Sequence, residues 1–225
     1  MNKSPLAIAF LSALLFGAAT PASKALLQTM PTFQLAGLLY LGTALGVIPL
    51  ILRERTFTWP WNLDRTTGLR LGGAIGLGGV AGPVFLLLGL KLASSASVSL
   101  WLNLELIATV LLGYFFFRDQ LNVYGWVASI GTLGAAALLS VSEGYAGVQA
   151  GLLVTLACFC WGLDNHFTSL ITGITPAQTT FWKGLVAGIV NLAIGIGLAA
   201  YTATVAMTVA ALTVGIFSYG ISMVL

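Results

Sequence analysis

An all-α bundle of about eight helices crossing a membrane is the fold class this sequence predicts, and three observations predict it. Of the 225 residues, 58% are hydrophobic and only 7% are charged, against about 25% charged in a soluble domain. The apolar residues fall in windows of about 20, the length that spans a bilayer core. Short polar turns separate the windows and leave no room for a soluble domain. The net charge of +3 is scattered over these turns without a block of Lys and Arg, so it is not a nucleic-acid signal. Cys158 and Cys160 share one apolar run, which argues against a disulfide framework.

The eight windows are 6–27, 32–52, 69–90, 96–117, 123–141, 148–171, 177–200 and 203–225. The first imitates a signal peptide, with Lys3, an apolar run and then Ala18-Ala19-Thr20-Pro21-Ala22. It stays apolar to Leu27 and further spans follow, so it reads as the first helix. Pro31 and Pro176 open the second and seventh helices, where a missing N–H costs nothing. Arg118-Asp119-Gln120 and Glu143-Gly144 are short polar turns, the latter placed at 143–147. The one long loop, 53–70, carries Trp59, Pro60 and Trp61 as interface anchors. Lys3, Arg53, Arg55, Arg65, Arg70 and Arg118 gather on one side, against Lys24 and Lys91 at helix ends on the other. The positive-inside rule then places the N-terminus and the 172–175 turn in the cytoplasm, with both lysines snorkelling to the outer headgroups. Glycines four apart (Gly42 and Gly46, Gly72 and Gly76, Gly78 and Gly82, Gly184 and Gly188) predict close helix contacts. The run 76–81 superficially fits a dinucleotide fingerprint, but it follows no strand.

A repeat underlies the order. A shift of 145 residues brings Phe16-Gly17 onto Trp161-Gly162 and Pro31 onto Pro176; further along the best shift falls to about 140. The first unit, 1–142, holds five spans, and the second, 146–225, holds three. An odd number of spans inverts the second copy, the architecture of many secondary transporters. Leu225 falls inside an apolar run. A full second unit predicts roughly 55 further residues and two more helices, which makes the chain a C-terminally truncated form.

The chain resembles an EamA-type permease of the drug/metabolite transporter superfamily. Four segments carry the resemblance: Gly82-Pro83-Val84-Phe85 through Leu90 with 93–96; Leu102-Asn103-Leu104-Glu105 through Thr109 to Arg118-Asp119; Cys160-Trp161-Gly162-Leu163-Asp164-Asn165-His166; and Trp182-Lys183-Gly184 through Gly188 with Asn191. The resemblance implies ten helices in two inverted repeats, and movement of small solutes across the bacterial inner membrane.

The intramembrane polar residues are the candidate site. Glu105 lies about ten residues into its helix, roughly 15 Å deep, where a charge costs roughly 2.5–3.5 kcal/mol on insertion scales. Trp101 and Thr109, one turn to either side, share its face, and Asn103 is a neighbour that could satisfy the carboxylate. Asp164 and Lys183 both lie about 10 Å in on consecutive antiparallel helices, so these charges could meet. Asn165 and Asn191 add polar contacts, and His166 suits a snorkelling or capping role. No nucleotide-binding loop, metal cluster or nucleophile–base pair stands in the sequence, so no cofactor is expected. The expected partners are the lipid bilayer and a small solute, with coupling to a proton or sodium gradient. The expected function is an alternating-access secondary transporter. The competing readings are a membrane-embedded enzyme on lipid-like substrates, using Asp164, Asn165, His166 and Lys183, or a non-transporting remnant.

Overall fold

The structure, a computed structural model, describes residues 3–117 and 120–222. The expected turn at Arg118-Asp119 lies outside them. Every regular element among the described residues is helical: α1 (Lys3–Gly17), α2 (Ala19–Leu26), α3 (Thr32–Ile51), α4 (Arg65–Ala74), α5 (Gly82–Leu92), α6 (Ser95–Trp101), α7 (Leu104–Leu112), α8 (Val123–Ser142), α9 (Gly144–Ser169), α10 (Pro176–Leu198) and α11 (Val205–Val214). A 3₁₀ turn covers Pro60–Asn62, and π-helical stretches cover Ile75–Ala81, Gly113–Phe117 and Gly215–Ile221. Seven continuous stretches are long and apolar enough to cross a membrane, and Val205–Ile221 is a shorter apolar helix. The polytopic helical bundle is therefore the fold, and its spans follow the eight windows.

Local chemistry sets the ends. Asp64, Ser94, Asn122, Thr175 and Thr204 each accept the backbone N–H three residues on, satisfying one of the orphan donors of a helix start. At Asp64 the Thr67 hydroxyl and amide hold the carboxyl below the usual carboxylate range. The turn expected at 143–147 is tighter. Glu143 closes α8 and Gly144, at φ 74°, opens α9 directly, a backbone conformation that costs glycine little. The fourth window is not one straight helix. It breaks between α6 and α7, where the Asn103 side chain donates to the Leu100 carbonyl at 2.9 Å, the local competition with the helix ladder that asparagine offers.

Helix α3 occupies the middle, buried from Thr32 to Val47 on most sides. Glycines bring its neighbours to backbone contact. A Cβ on Gly184 of α10 would stand 2.7 Å from the Ala44 nitrogen, and one on Gly42 would stand 2.9 Å from the Gly215 Cα. The expected Gly72 and Gly76 contact does not form; a Cβ at either position meets nothing within 4 Å. Helix α8 lies at the rim, with Ser129 as its only buried residue. Lys24 is tied into the bundle. Its Nζ donates to the Leu90 carbonyl at 2.6 Å and the Ala93 carbonyl at 3.0 Å, because the orphan carbonyls at the end of α5 stand within reach.

The stretch Ile75–Ala81 is where the site begins. The Gly82 amide bonds the Leu77 carbonyl, five residues back, and Pro83 has no N–H to give. Carbonyls in this turn thus lose helical donors, which is tolerated at membrane depth only where other groups replace them. Three side chains do so. Tyr40 of α3 donates to the Gly78 carbonyl at 2.6 Å, Trp161 of α9 to the same oxygen at 3.0 Å, and Asn191 of α10 to the Gly79 carbonyl at 3.1 Å. The same five-residue bond recurs 140 residues on, from the Ser222 amide to the Phe217 carbonyl.

Candidate functional site

A cavity of about 360 Å³ opens between α1, α7, α9, α10 and the Gly215–Ile221 stretch. Glu105, Asp164, Asn165 and Lys183 line it together with the rings of Phe16, Trp161 and Tyr219. Thr168, Pro176 and Thr180 extend it toward the 170–175 turn.

Asp164 and Lys183 meet. Lys183 Nζ donates to both carboxylate oxygens, at 2.9 Å to Oδ1 and 2.6 Å to Oδ2, and the Thr168 hydroxyl adds a bond to Oδ1 at 3.0 Å. The backbone opposite is Gly78, where any Cβ would overlap the Asp164 carboxylate. Glu105 Oε1 accepts from Asn165 Nδ2 at 3.2 Å, and the same amide donates to the Thr109 hydroxyl at 3.3 Å. Asn165, and not Asn103, is therefore the amide on Glu105. The His166 ring lies 2.9 Å from the Thr109 carbonyl, so it ties α9 to α7 rather than snorkelling.

The other sequence candidates lie elsewhere. Trp101 is fully buried and donates its indole N–H to the Ala136 carbonyl at 3.2 Å, packing α6 against α8. Asn103 is exposed at the helix break. Asn191 is buried on the Gly79 carbonyl. Among the lining residues that sequence reasoning did not place at a site are Tyr219, Thr168 and Phe16. Phe16 carried a signal, since the 145-residue shift puts it on Trp161 and both rings face the cavity.

The long loop is strapped over the same end of the bundle. Gln178 of α10 donates to Glu54 and to the Thr56 carbonyl at 2.7 Å, and accepts from the Thr58 amide at 2.8 Å. Thr175 donates to Glu54 at 2.7 Å, and Phe57 and Trp59 pack on Trp182 at 5.6 and 5.4 Å between ring centroids. Gln178 is 1% exposed, and Gln178→Ala removes its bonds to the half-buried Glu54 and Thr58 and the exposed Thr56, each with a net contribution of about 1 kcal/mol. Trypsin cleavage after the exposed Arg53 and Arg55 is expected to accelerate about 5–30-fold, the factor that one to two kcal/mol commands. Unchanged cleavage would show that Gln178 does not hold the loop.

Intramembrane charges around a cavity in a multi-helix bundle are costly and mark a candidate functional site. The chain belongs to the EamA-like transporter family, whose model matches residues 3–141, and it is a multi-pass membrane protein. It is 31% identical over 156 residues to an uncharacterized transporter of Methanothermobacter thermautotrophicus. That match covers 65% of this chain, and the chain spans 45% of the relative's length. A crystal structure 20% identical in sequence aligns over 99% of this chain and 78% of its own, with a TM-score of 0.66, which places both in one fold.

Proposed function

We propose that this chain forms a secondary transporter, a permease for small metabolites or drugs, working by alternating access. The observation that carries the reading is the cavity itself, with Glu105, Asp164 and Lys183 set inside membrane-spanning helices. Such charges are expensive in a bilayer and mark solute or ion pathways. The matching five-residue hydrogen bonds at Gly82 and Ser222 support reading 1–142 and 146–225 as inverted copies of one unit. In this reading Glu105, Asn165, Asp164 and Lys183 contact the solute or couple its movement to a proton or sodium gradient. Thr109 and Asn191 hold the walls, and Trp101 and Asn103 support the bent helix that carries Glu105. The N-terminus and the strapped loop face the cytoplasm, and the membrane is the bacterial inner membrane.

Counterflow tests it. The purified chain in proteoliposomes, preloaded with a panel of amines, amino acids and neutral metabolites, should exchange at least one labelled solute above protein-free vesicles. An imposed pH or sodium gradient should drive its accumulation. Absence of exchange for the whole panel would overturn the reading.

A further inference from the structure

We propose that the cavity takes a solute bearing one positive charge, a protonated amine on an apolar body, with Glu105 as its counter-ion. This rests on the transporter reading above for its claim that the cavity is the transport site. Three charged side chains line the space. Two of them cancel, because Lys183 contacts both oxygens of Asp164 and Thr168 completes that carboxylate. Asp164 and Lys183 form the only ion pair among the described residues.

Glu105 is left with a dipole for a partner. Its Oε1 takes one hydrogen bond from Asn165 at 3.2 Å, and its Oε2 takes none among the described residues. With Glu105 ionised, the cavity carries one net negative charge in surroundings where a charge is costly unless paired. A solute cation supplies the missing partner. An anion would meet Glu105 directly while Lys183 is already engaged, and a neutral solute would leave Glu105 as it stands. The walls point the same way. Phe16, Trp161 and Tyr219 line the cavity with aromatic rings, side chains that attract cations and shelter apolar bodies alike. The volume of about 360 Å³ suits a small molecule rather than a bare ion.

Phenethylammonium, phenethyl alcohol and phenylacetate share a ring and a short chain, and carry positive, zero and negative charge at neutral pH. Titration calorimetry on the purified chain in detergent is expected to show the ammonium binding at least about 10-fold tighter than either analogue. Glu105→Gln should abolish that preference and Glu105→Asp should retain it. Equal or tighter binding of the alcohol or of phenylacetate overturns the proposal. So does a preference that survives in Glu105→Gln, or no binding of the ammonium. The wild-type series decides alone should Glu105→Gln yield no folded protein. Counterflow with the same probes separates the two readings. Cation-selective binding without exchange of any solute sinks the transporter and leaves the amine site. Exchange of phenylacetate or phenethyl alcohol but not of the ammonium sinks the amine site and leaves the transporter.

Discussion

Gly78→Ala is expected to disrupt the packing at the centre of the molecule. The added Cβ would overlap the Asp164 carboxylate and stand 2.6 Å from the Asp164 Cβ. The carboxylate has little freedom to yield, since Lys183 and Thr168 fix its oxygens and the residue is 4% exposed. Two escapes remain. Asp164 can leave Lys183, stranding a buried charge at about 3–5 kcal/mol. Otherwise the turn retreats and strains the bonds of Tyr40 and Trp161 to the Gly78 carbonyl, each with a net contribution of about 1 kcal/mol, on top of overpacking at about 1–3 kcal/mol. Unfolding in detergent should report a loss of several kcal/mol, and transport should fall with it. Gly76→Ala is the control: its Cβ meets open space, and alanine in a helix gains up to about 1 kcal/mol over glycine. Equal stability of the two variants would remove Gly78 from its assigned place against Asp164.

The second large effect concerns the ion pair itself. The side chains of Lys183 and Asp164 are 13% and 6% exposed, so the scale that applies is that of buried pairs and not the roughly 0–1 kcal/mol of surface pairs. Asp164→Asn or Lys183→Met alone should cost about 3–5 kcal/mol, because each strands the other charge. The double variant should cost far less than their sum, since it removes both charges together. A double-mutant cycle on unfolding free energies measures this, and the expected coupling lies at or above the upper end of the roughly 0.5–3 kcal/mol found between contacting residues. Additive costs would mean that the two residues are satisfied independently.

The sequence read depth well and rotation poorly. Apolar windows, prolines at helix starts and polar turns located the spans, because burial in lipid demands length and leaves polar residues to the ends. Asp164 and Lys183 could be matched by counting rise along two antiparallel neighbours. The partner of Glu105 was another matter. Periodicity along one helix offers only neighbours such as Trp101 and Asn103, whereas Asn165 comes from α9 and depends on how two helices are turned toward each other. The break at Asn103 also bends the shared face on which Trp101, Glu105 and Thr109 were placed. Lys24 was read from its position at a helix end, which says nothing of the carbonyls of α5 beside it. Tyr40 and Tyr219 carry neither a charge nor a motif that would single them out of their apolar windows. The π-helical stretch had no sign except glycines followed by Pro83, and glycines also signal ordinary packing, as Gly72 and Gly76 were taken to do.

That stretch has a consequence for how the molecule can rock. Tyr40, Trp161 and Asn191 belong to α3, α9 and α10, and all three are moored to two adjacent peptide groups at Gly78 and Gly79. A displacement of this short turn is shared by three helices at once, drawn from both halves of the chain. The three helices are cross-tied at this turn, while α8 with its one buried residue lies outside the tie. A movement that parted α3 from α9 and α10 would therefore have to break bonds at Gly78 or Gly79, whereas a movement of α8 would leave them intact.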